Sequence, residues 1–167
     1  MKVKLDKILD HQAIGHKTRR IAYQIYESNV AEKEIVLAGI ADNGYKFAER
    51  LAQTLEEISS IKVILCKVSM NKKDPLGTVT TSLDPAAYKD KSVVLIDDVL
   101  NSGTTLVYGV KHFLEVPLKR FKTAVLINRN HKKFPVKADF KGVSLSTSLN
   151  ESVKVRFRKG NDMAVLE

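Results

Sequence analysis

Short apolar segments that alternate with helical patterns constrain the fold of this chain most strongly. Segments of strand character occur at residues 35–40, 62–68, 93–96 and 123–127. Two of them, 35–40 and 93–96, are continuously apolar, which is typical of strands buried on both faces of a parallel sheet. Apolar residues at helical spacing precede or separate these segments, at residues 11–28, 45–58 and 105–114. The alternation predicts an α/β fold with an open, mostly parallel, twisted sheet flanked by helices.

The composition of the 167 residues fits one globular domain. At this length folding buries roughly two thirds of the surface of the unfolded chain, so the core needs no disulfide or structural metal. The one cysteine, Cys66, cannot pair within the chain and is expected to be an inert core residue. No apolar run reaches the ~20 residues of a membrane span, and the N-terminus does not resemble a signal peptide. We therefore expect a cytoplasmic protein with no membrane partner.

Two regions depart from the regular alternation. Residues 69–91 contain two prolines, one glycine and five Ser/Thr residues, which predicts a mobile lid or a partly disordered loop. Residues 152–157 alternate apolar and polar side chains, which predicts a half-exposed strand that is antiparallel or at a sheet edge.

Charge is distributed unevenly along the chain, whose formal net charge is +9. Residues 1–110 hold 15 basic and 14 acidic groups, whereas residues 111–160 hold 13 basic and 3 acidic groups. Lys17, Arg19 and Arg20 on the first predicted helix add to the basic character. Such a surface could bind RNA or an anionic small substrate, or it could be a solvated face that aids solubility.

Two adjacent carboxylates, Asp97 and Asp98, follow the buried run 93–96. Ligands of open α/β sheets bind beyond the carboxyl ends of the strands, which is where this pair is expected to lie. Carboxylates suit ribose hydroxyls or a hydrated Mg²⁺. Capping of the following helix would explain one acid, but not two adjacent acids at the end of a buried strand. The pair therefore indicates a ligand site.

A small polar loop, residues 101–105, separates the acidic pair from the next predicted helix. The hydroxyls of Ser102, Thr104 and Thr105, with the backbone N–H groups at the start of the helix, form a cradle for a phosphate. Gly103 permits close approach of the backbone or a positive φ. The acids and the loop together predict a site that holds a sugar and its phosphate.

Residues 93–105 resemble the phosphoribosyl pyrophosphate (PRPP) motif of type I phosphoribosyltransferases, a hydrophobic strand that ends in two acids and a Thr/Ser-Gly-x-Thr loop. The resemblance implies that Asp97 and Asp98 are the catalytic pair and contact the ribose hydroxyls, with Asp97 near Mg²⁺ through water. The residues implied to bind the 5′-phosphate are Asn101, Ser102, Gly103, Thr104 and Thr105. The loop implied to meet the pyrophosphate consists of Ile40, Ala41, Asp42, Asn43 and Gly44.

A narrower resemblance covers most of the chain. It is to the bacterial family of bifunctional pyrimidine operon regulators and uracil phosphoribosyltransferases, and the segments that carry it are Ile8-Leu9-Asp10, Arg20-Ile21-Ala22, Glu27-Ser28-Asn29, Ala124-Val125-Leu126, Ala138-Asp139-Phe140, Thr147-Ser148 and Glu151-Ser152-Val153. The resemblance implies a type I phosphoribosyltransferase fold with a core of about residues 30–128. Residues 1–10 and 129–167 are implied to form a small hood over the nucleobase. The implied reaction converts PRPP and uracil to UMP and pyrophosphate with Mg²⁺, in a homodimer or a higher oligomer.

The implied pyrophosphate loop departs from the family pattern. Ala41 and Asn43 stand where the family usually has a lysine and an arginine. Either another cation replaces this charge or catalysis is weak, and Lys72 and Lys73 could supply it as part of a lid. Asn128 stands where the family commonly has an acid, so base recognition is expected to differ.

Arg129 and His131 are the candidates for contacts under the hood. One interpretation places Arg129 near the base or the pyrophosphate and His131 on an anion-binding face with Lys132 and Lys133. The alternative is an exposed basic loop in which His131 titrates in solvent.

Three functional hypotheses are consistent with these patterns. The first is phosphoribosyl transfer from PRPP to a nucleobase, with uracil as the base. The second is a nucleotide-sensing, RNA-binding regulator of pyrimidine genes with weak or no catalysis. The third, a purine or orotate phosphoribosyltransferase, shares the PRPP loop but not the C-terminal pattern.

Overall fold

The computed structural model describes residues 5–71, 73–74 and 76–167 of the chain. These residues form, in chain order, β1 (Asp6–Leu9), α1 (His11–Ser28), β2 (Glu34–Ile40), α2 (Asn43–Ile58), β3 (Lys62–Ser69), β4 (Thr80–Thr81), α3 (Pro85–Tyr88), β5 (Ser92–Leu100), α4 (Thr104–Phe113), β6 (Arg120–Arg129), β7 (Phe140–Leu145), β8 (Val153–Arg156) and β9 (Met163–Leu166).

The centre of the molecule is a six-stranded sheet of order β4-β3-β2-β5-β6-β7. Every neighbouring pair in it is parallel except β3 with β4. The predicted α/β class and mostly parallel sheet are therefore confirmed. The strands predicted at residues 35–40, 62–68, 93–96 and 123–127 became β2, β3, β5 and β6, the strands that run through the middle of this sheet.

Apolar side chains fill both faces of the sheet. One buried cluster joins α1 and α2 to the sheet and includes Ile21 and Phe47. The other lies beneath α3 and α4 and includes Tyr88 and Phe113, whose rings are 4.8 Å apart between centroids. Burying a side chain such as Phe47 or Phe113 contributes about 1.5–3 kcal/mol. Packing on both faces explains why the central strands are continuously apolar.

The fifth strand extends further than the sequence predicts. The apolar run ends at Ile96, but β5 continues to Leu100 and carries both Asp97 and Asp98. Pairing with β2 stops at Ile96, whereas pairing with the longer β6 continues to Leu100. The acidic pair therefore lies on strand backbone that pairs with β6 alone, and the start of α2 packs against its other side.

The segment 69–91, predicted as a mobile lid or a partly disordered loop, contains two short elements. β4 pairs with the end of β3, and α3 begins at Pro85, where the proline ring suits the first turn of a helix. Tyr88 anchors α3 in the core with only 1% of its surface exposed. Burial raises the pKa of the Tyr88 phenol above its usual value.

A second, three-stranded sheet of order β1-β9-β8 covers part of the first cluster. All its pairings are antiparallel, which confirms the antiparallel strand predicted at residues 152–157. Its strands come from the two ends of the chain, within the ranges expected for the hood. The strand β7 also falls within the range 129–167, but it is the edge strand of the six-stranded sheet beside β6.

A buried carboxylate, Asp162, ties this smaller sheet to α1 and α2. Its side chain accepts hydrogen bonds from both terminal nitrogens of Arg50, at 2.8 and 3.0 Å, and from the Arg158 N–H at 2.8 Å. The Asp162 N–H donates to Nδ1 of His11 at 3.0 Å. The Arg50 guanidinium also lies 5.8 Å from the ring centroid of Phe157. These contacts fix the three-stranded sheet against the helices.

Cys66 is fully buried in β3, as predicted for a core residue. Burial raises the pKa of its thiol, which keeps it protonated and unreactive. Among the helices that the structure describes, none has both the length and the apolar character that crossing a membrane requires.

Candidate functional site

A cavity of about 210 Å³ opens at the carboxyl end of β5. Residues 97–106 form most of its wall, and Val125 and Val153 complete it. The sequence-predicted acidic pair and the polar loop thus line one cavity, at the place where open α/β sheets bind ligands. Val153 comes from β8 and was not a predicted site residue, because its alternating pattern indicates only a strand with one buried face.

The two carboxylates of this cavity differ in environment. Asp97 is 4% exposed, and its Oδ1 accepts a hydrogen bond from the Asp98 N–H at 2.9 Å. Asp98 is half-buried, and its Oδ2 accepts a hydrogen bond from the Asn43 amide at 3.2 Å. Asp97 is therefore held rigidly by local backbone, whereas Asp98 is linked to the start of α2.

The polar loop is ordered by its own hydroxyls. The Oγ atoms of Ser102 and Thr104 lie 2.8 Å apart, and the Thr104 N–H donates to the Ser102 Oγ at 3.3 Å. Gly103 precedes α4 with φ of 87° and ψ of −2°, as expected for a glycine that turns the chain into a helix. The first N–H groups of α4 thus open onto a loop of small hydroxyl-bearing residues, which suits a phosphate.

The segment after β6 braces this loop from behind. The N–H groups of Lys133 and Phe134 both donate to the Ser102 carbonyl, at 2.7 and 3.3 Å. A Cβ on Gly103 would lie 2.6 Å from Cγ1 of Val136. Lys132 and Lys133 in this segment are exposed, whereas the lining residues of the cavity carry no positive charge.

The predicted pyrophosphate loop, residues 40–44, lies next to the acidic pair. Besides its bond to Asp98, the Asn43 amide donates to the carbonyl of Val155 at 2.8 Å, which links the loop to β8. Gly44 packs on β5, because a Cβ there would lie 3.0 Å from Oδ1 of Asp97. The Ala41 N–H donates to the carbonyl of Val68 at 2.8 Å, and the peptide bond between Ala41 and Asp42 is cis. The structure brings this loop and the PRPP motif together.

Arg129 is buried, with 7% of its surface exposed, and its guanidinium binds protein groups. Nε donates to the Thr147 hydroxyl at 2.9 Å, and NH1 donates to the Asn101 side chain at 2.9 Å. NH2 donates to the carbonyls of Ser148 and Glu151, at 3.3 and 2.6 Å. Arg129 thus connects the polar loop, through Asn101, to the segment 147–151. All of these guanidinium contacts are with protein groups.

His131 has a similar placement. Its Nε2 lies 2.7 Å from the carbonyl of Thr147, so Nε2 carries the proton and donates it to this carbonyl. The ring is half-buried rather than solvent-exposed. Together with Arg129, His131 holds the chain around Thr147 close to the end of β6. These long-range contacts could not be predicted from the spacing of the residues.

Of the two candidate lid residues, Lys73 is described by the structure and is not part of the cavity wall. Lys73 is exposed, and its N–H donates to the Asn71 side chain at 3.0 Å. Lys72 lies outside the described residues.

Asn128, also singled out from the sequence, is 6% exposed and donates to the Ser144 hydroxyl at 3.3 Å. Its Oδ1 has no hydrogen-bond partner among the described residues.

Comparison with known proteins agrees with this geometry. The phosphoribosyl transferase domain family matches residues 4–157. The chain belongs to the phosphoribosyltransferase family. Two of its relatives carry the name Bifunctional protein PyrR. The protein of Clostridium acetobutylicum is 38% identical over 160 residues, which cover 91% of this chain and 90% of the relative. The protein of Bacillus pumilus is 33% identical over 171 residues, with 95% of each chain covered. Both resemblances found in the sequence are confirmed.

Solved phosphoribosyltransferase structures share the fold. A hypoxanthine-guanine phosphoribosyltransferase of Bacillus anthracis superposes with a TM-score of 0.74 at 21% identity and covers 89% of this chain and 84% of its own. The hypoxanthine phosphoribosyltransferase of Trypanosoma cruzi gives a TM-score of 0.74 at 17% identity with the same coverage. The predicted phosphoribosyltransferase fold is thereby confirmed.

Proposed function

We propose that this phosphoribosyltransferase transfers the 5-phosphoribosyl group of PRPP to a ring nitrogen of a nucleobase, with uracil as the base, and releases UMP and pyrophosphate in the cytoplasm. The observation that carries the proposal is the shared cavity, in which Asp97 and Asp98 lie beside the hydroxyl loop 101–105. Uracil is proposed because the resemblance to uracil phosphoribosyltransferases extends through the C-terminal segments.

The binding of PRPP follows from the chemistry of the cavity wall. The hydroxyls of Ser102, Thr104 and Thr105 and the first N–H groups of α4 donate to the 5′-phosphate. Asp97 and Asp98 accept hydrogen bonds from the two ribose hydroxyls. One wall of the cavity thus recognises phosphate through donors and sugar through acceptors, which fixes the orientation of the ribose.

Transfer of the phosphoribosyl group needs positioning and charge rather than a covalent nucleophile. As the bond from C1 of the ribose to pyrophosphate breaks, positive charge develops on the sugar and negative charge on the leaving group. The buried carboxylate of Asp97 and the half-buried carboxylate of Asp98 stabilise the positive charge. Arg129 and His131 hold the segment around Thr147 at the end of β6, where we place the base with its nitrogen facing C1.

The residues present fit a magnesium ion that arrives with PRPP. No cluster of three or more acidic, histidine or cysteine side chains that could hold a metal occurs among the described residues. Mg²⁺ usually keeps several waters and binds one or two carboxylates together with substrate phosphates, which matches a pair of adjacent aspartates. Asp97 would hold it through water, and the ion would supply charge neutralisation of the pyrophosphate.

Pyrophosphate release from PRPP, measured with Mg²⁺ and a panel of nucleobases, tests the proposal. We expect turnover with uracil, and we expect Asp98→Asn to lower it by at least ~100-fold, the scale of a lost charge-stabilising group. Asp84→Asn is the matched control, since Asp84 is exposed and its side chain makes no capping hydrogen bond. Unchanged thermal denaturation of Asp98→Asn would show that the fold is intact. Retained turnover in Asp98→Asn would contradict the role of the acid, and turnover with a purine alone would contradict the choice of base.

A specific observation favours RNA binding as a second function. The Arg20 guanidinium donates to the carbonyls of Lys141 and Gly142, at 3.1 and 2.6 Å, so α1 lies directly against β7. The basic residues of α1 therefore lie on a helix beside β7, which carries the exposed Lys141 of the basic C-terminal third. Such a face binds phosphate backbones with an affinity that falls steeply with salt.

A filter-binding titration against a pyrimidine-gene leader transcript at several salt concentrations tests this function. Arg19→Gln removes an exposed charge from α1 and should weaken binding. Lys91→Gln removes a charge that pairs with Glu34 at 2.7 Å, outside both α1 and the basic C-terminal third, and should not weaken it. Equal loss in both variants, or no salt dependence, would indicate that this face is only a solvated surface. The predicted homo-oligomeric state is measured by light scattering in the same buffers.

A further inference from the structure

The proposed pyrophosphate subsite has a shortage of positive charge. The one charged side chain of the loop 40–44 is Asp42, which is exposed, and the adjacent cavity adds the carboxylates of Asp97 and Asp98. Pyrophosphate carries several negative charges, and more charge develops on it as it leaves. Beside the Mg²⁺ that arrives with PRPP, a cation of the protein close to the loop would stabilise this charge further.

Lys67 is the lysine that the sheet places next to this loop. In the parallel pairing of β2 with β3, Lys67 is opposite Gly39, immediately before the loop. The next residue of β3, Val68, accepts the hydrogen bond from the Ala41 N–H. The end of β3 thus forms the wall on which the loop rests, and the stem of Lys67 starts from that wall.

An aromatic ring directs the lysine towards the first turn of α2. Nζ of Lys67 lies 5.6 Å from the ring centroid of Tyr45, in the range of a cation–π contact. Tyr45 packs closely on Gly39, since a Cβ on that glycine would lie 2.5 Å from the Tyr45 Cα. Two residues earlier, Asn43 binds Asp98. The first turn of α2 therefore contacts the ammonium of Lys67 through Tyr45 and the acidic pair through Asn43.

The backbone of Lys67 is fixed while its side chain is available. Its N–H donates to the Ser82 hydroxyl at 2.8 Å, and its carbonyl accepts from the Ser82 N–H at 2.9 Å. The side chain is exposed, and no carboxylate lies within 4.0 Å of its ammonium in the described parts of the chain. Lys46, one residue after Tyr45, instead shares a shallow depression with Glu49 and Arg50. Lys67 is thus the better placed of the two cations.

We propose that Lys67 binds the pyrophosphate group of PRPP and stabilises its departure, in place of a cation in the loop itself. The inference rests on the proposed phosphoribosyl transfer. In the free protein Tyr45 holds the ammonium beside the loop. When PRPP is bound, the flexible stem carries the ammonium from the ring to the phosphate oxygens. Lys67 therefore acts at the leaving group and has no role at the 5′-phosphate.

Calorimetric titration with three ligands in Mg²⁺ separates these roles: PRPP, inorganic pyrophosphate and ribose 5-phosphate. Lys67→Met should weaken the binding of PRPP and of pyrophosphate by at least tenfold and leave ribose 5-phosphate within twofold of the wild type. Lys62→Met is the matched control, because Lys62 is an exposed lysine at the opposite end of the same strand. It should bind all three ligands as the wild type does. Lys67→Arg should restore most of the affinity, because it restores the charge.

The outcomes distinguish a failure of the Lys67 assignment from a failure of the proposed function on which it rests. If the wild type binds PRPP and pyrophosphate and Lys67→Met binds them equally well, the assignment of Lys67 is wrong and the proposed function stands. A uniform loss for all three ligands in Lys67→Met would likewise contradict a role confined to pyrophosphate. If the wild type binds neither PRPP nor pyrophosphate, the proposed function fails, and Lys67 fails with it.

Discussion

Replacing Gly103 by alanine tests whether the shape of the proposed phosphate-binding loop, residues 101–105, requires a residue without a side chain. The residue has φ of 87°, and an L-residue in the left-handed region costs about 1–2 kcal/mol. The added Cβ would also lie 2.6 Å from Cγ1 of Val136, well inside the ~3.5–4.0 Å of a favourable carbon contact. Displacing a packed side chain costs about 1–3 kcal/mol. We therefore expect Gly103→Ala to lower the free energy of unfolding by about 2–5 kcal/mol.

Two other glycines separate the backbone cost from the steric cost. Gly160 also has a positive φ, of 74°, but a Cβ there meets nothing within 4 Å, so Gly160→Ala should cost only about 1–2 kcal/mol. Gly15 lies within α1 with nothing within 4 Å, and Gly15→Ala should stabilise the protein by about 0.5–1 kcal/mol. Adding Val136→Ala to Gly103→Ala should recover the stability lost to the steric contact but not the stability lost to the positive φ.

Urea denaturation and titration with ribose 5-phosphate are the two assays for this series. In a separate thermal denaturation, each kcal/mol lost should lower the melting temperature by about 2–4 °C in a chain of this size. Gly103→Ala should also lose affinity for ribose 5-phosphate by at least tenfold, since its loop must move, whereas Gly160→Ala should keep it. Equal destabilisation by Gly103→Ala and Gly160→Ala would show that the contact of the added Cβ with Val136 has no steric cost. Wild-type ligand affinity in Gly103→Ala would refute the assigned role of the loop.

Three further predictions concern groups outside the phosphate loop. Arg129→Met leaves the acceptors of four hydrogen bonds without their donor, so it should lower the free energy of unfolding by about 3–5 kcal/mol, measured by urea denaturation. Arg129→Lys should recover less than half of this loss, because an ammonium cannot replace the planar guanidinium. Burial raises the pKa of Tyr88, so the folded state favours the neutral phenol. The stability that this phenol contributes is fully present below pH ~10, where the unfolded phenol titrates, and is lost as the pH rises through the folded pKa. Tyr88→Phe should therefore flatten the alkaline part of a profile of stability against pH. Asp162→Asn should cost about 1–3 kcal/mol by weakening the bond to the partly exposed Arg50, and limited proteolysis should then cleave first near the C-terminus.

The central elements could be predicted because their local pattern and their tertiary environment agree. A strand such as β2 is apolar throughout because both faces of the sheet are covered, and α2 has a single apolar stripe because only one side of it is buried. The short strands β1, β7 and β9 could not be predicted in this way. Each has four to six residues and exists because a neighbouring strand pairs with it, as β7 does with β6.

The residues of the candidate site also fall into those that the local sequence could place and those that depend on long-range contacts. The acidic pair and the loop after it could be placed at the carboxyl end of β5 from the sequence, because a buried strand is followed closely by a helix. That β5 itself extends through both acids could not, since this depends on its pairing with β6. The direction of the Arg129 side chain could not, since its acceptors are 18 to 28 residues away along the chain. The relation of Lys67 to the loop also depends on the pairing of two strands that are separated by a helix. Residues that act across elements are visible only once the register is known.

The arrangement of charge around the cavity suits a reaction in which opposite charges separate. The carboxylates of Asp97 and Asp98 lie where we propose that the ribose binds, and positive charge develops on the ribose during transfer. The residues that line the cavity at the proposed 5′-phosphate site are neutral donors. A cation inside the cavity would pair with Asp97 or Asp98 in the free protein and would weaken both roles. Lys67 avoids this because it belongs to β3, outside the cavity wall, and its ammonium contacts the ring of Tyr45. Because no carboxylate of the described residues lies within 4.0 Å of its ammonium, Lys67 is available to act on the leaving group.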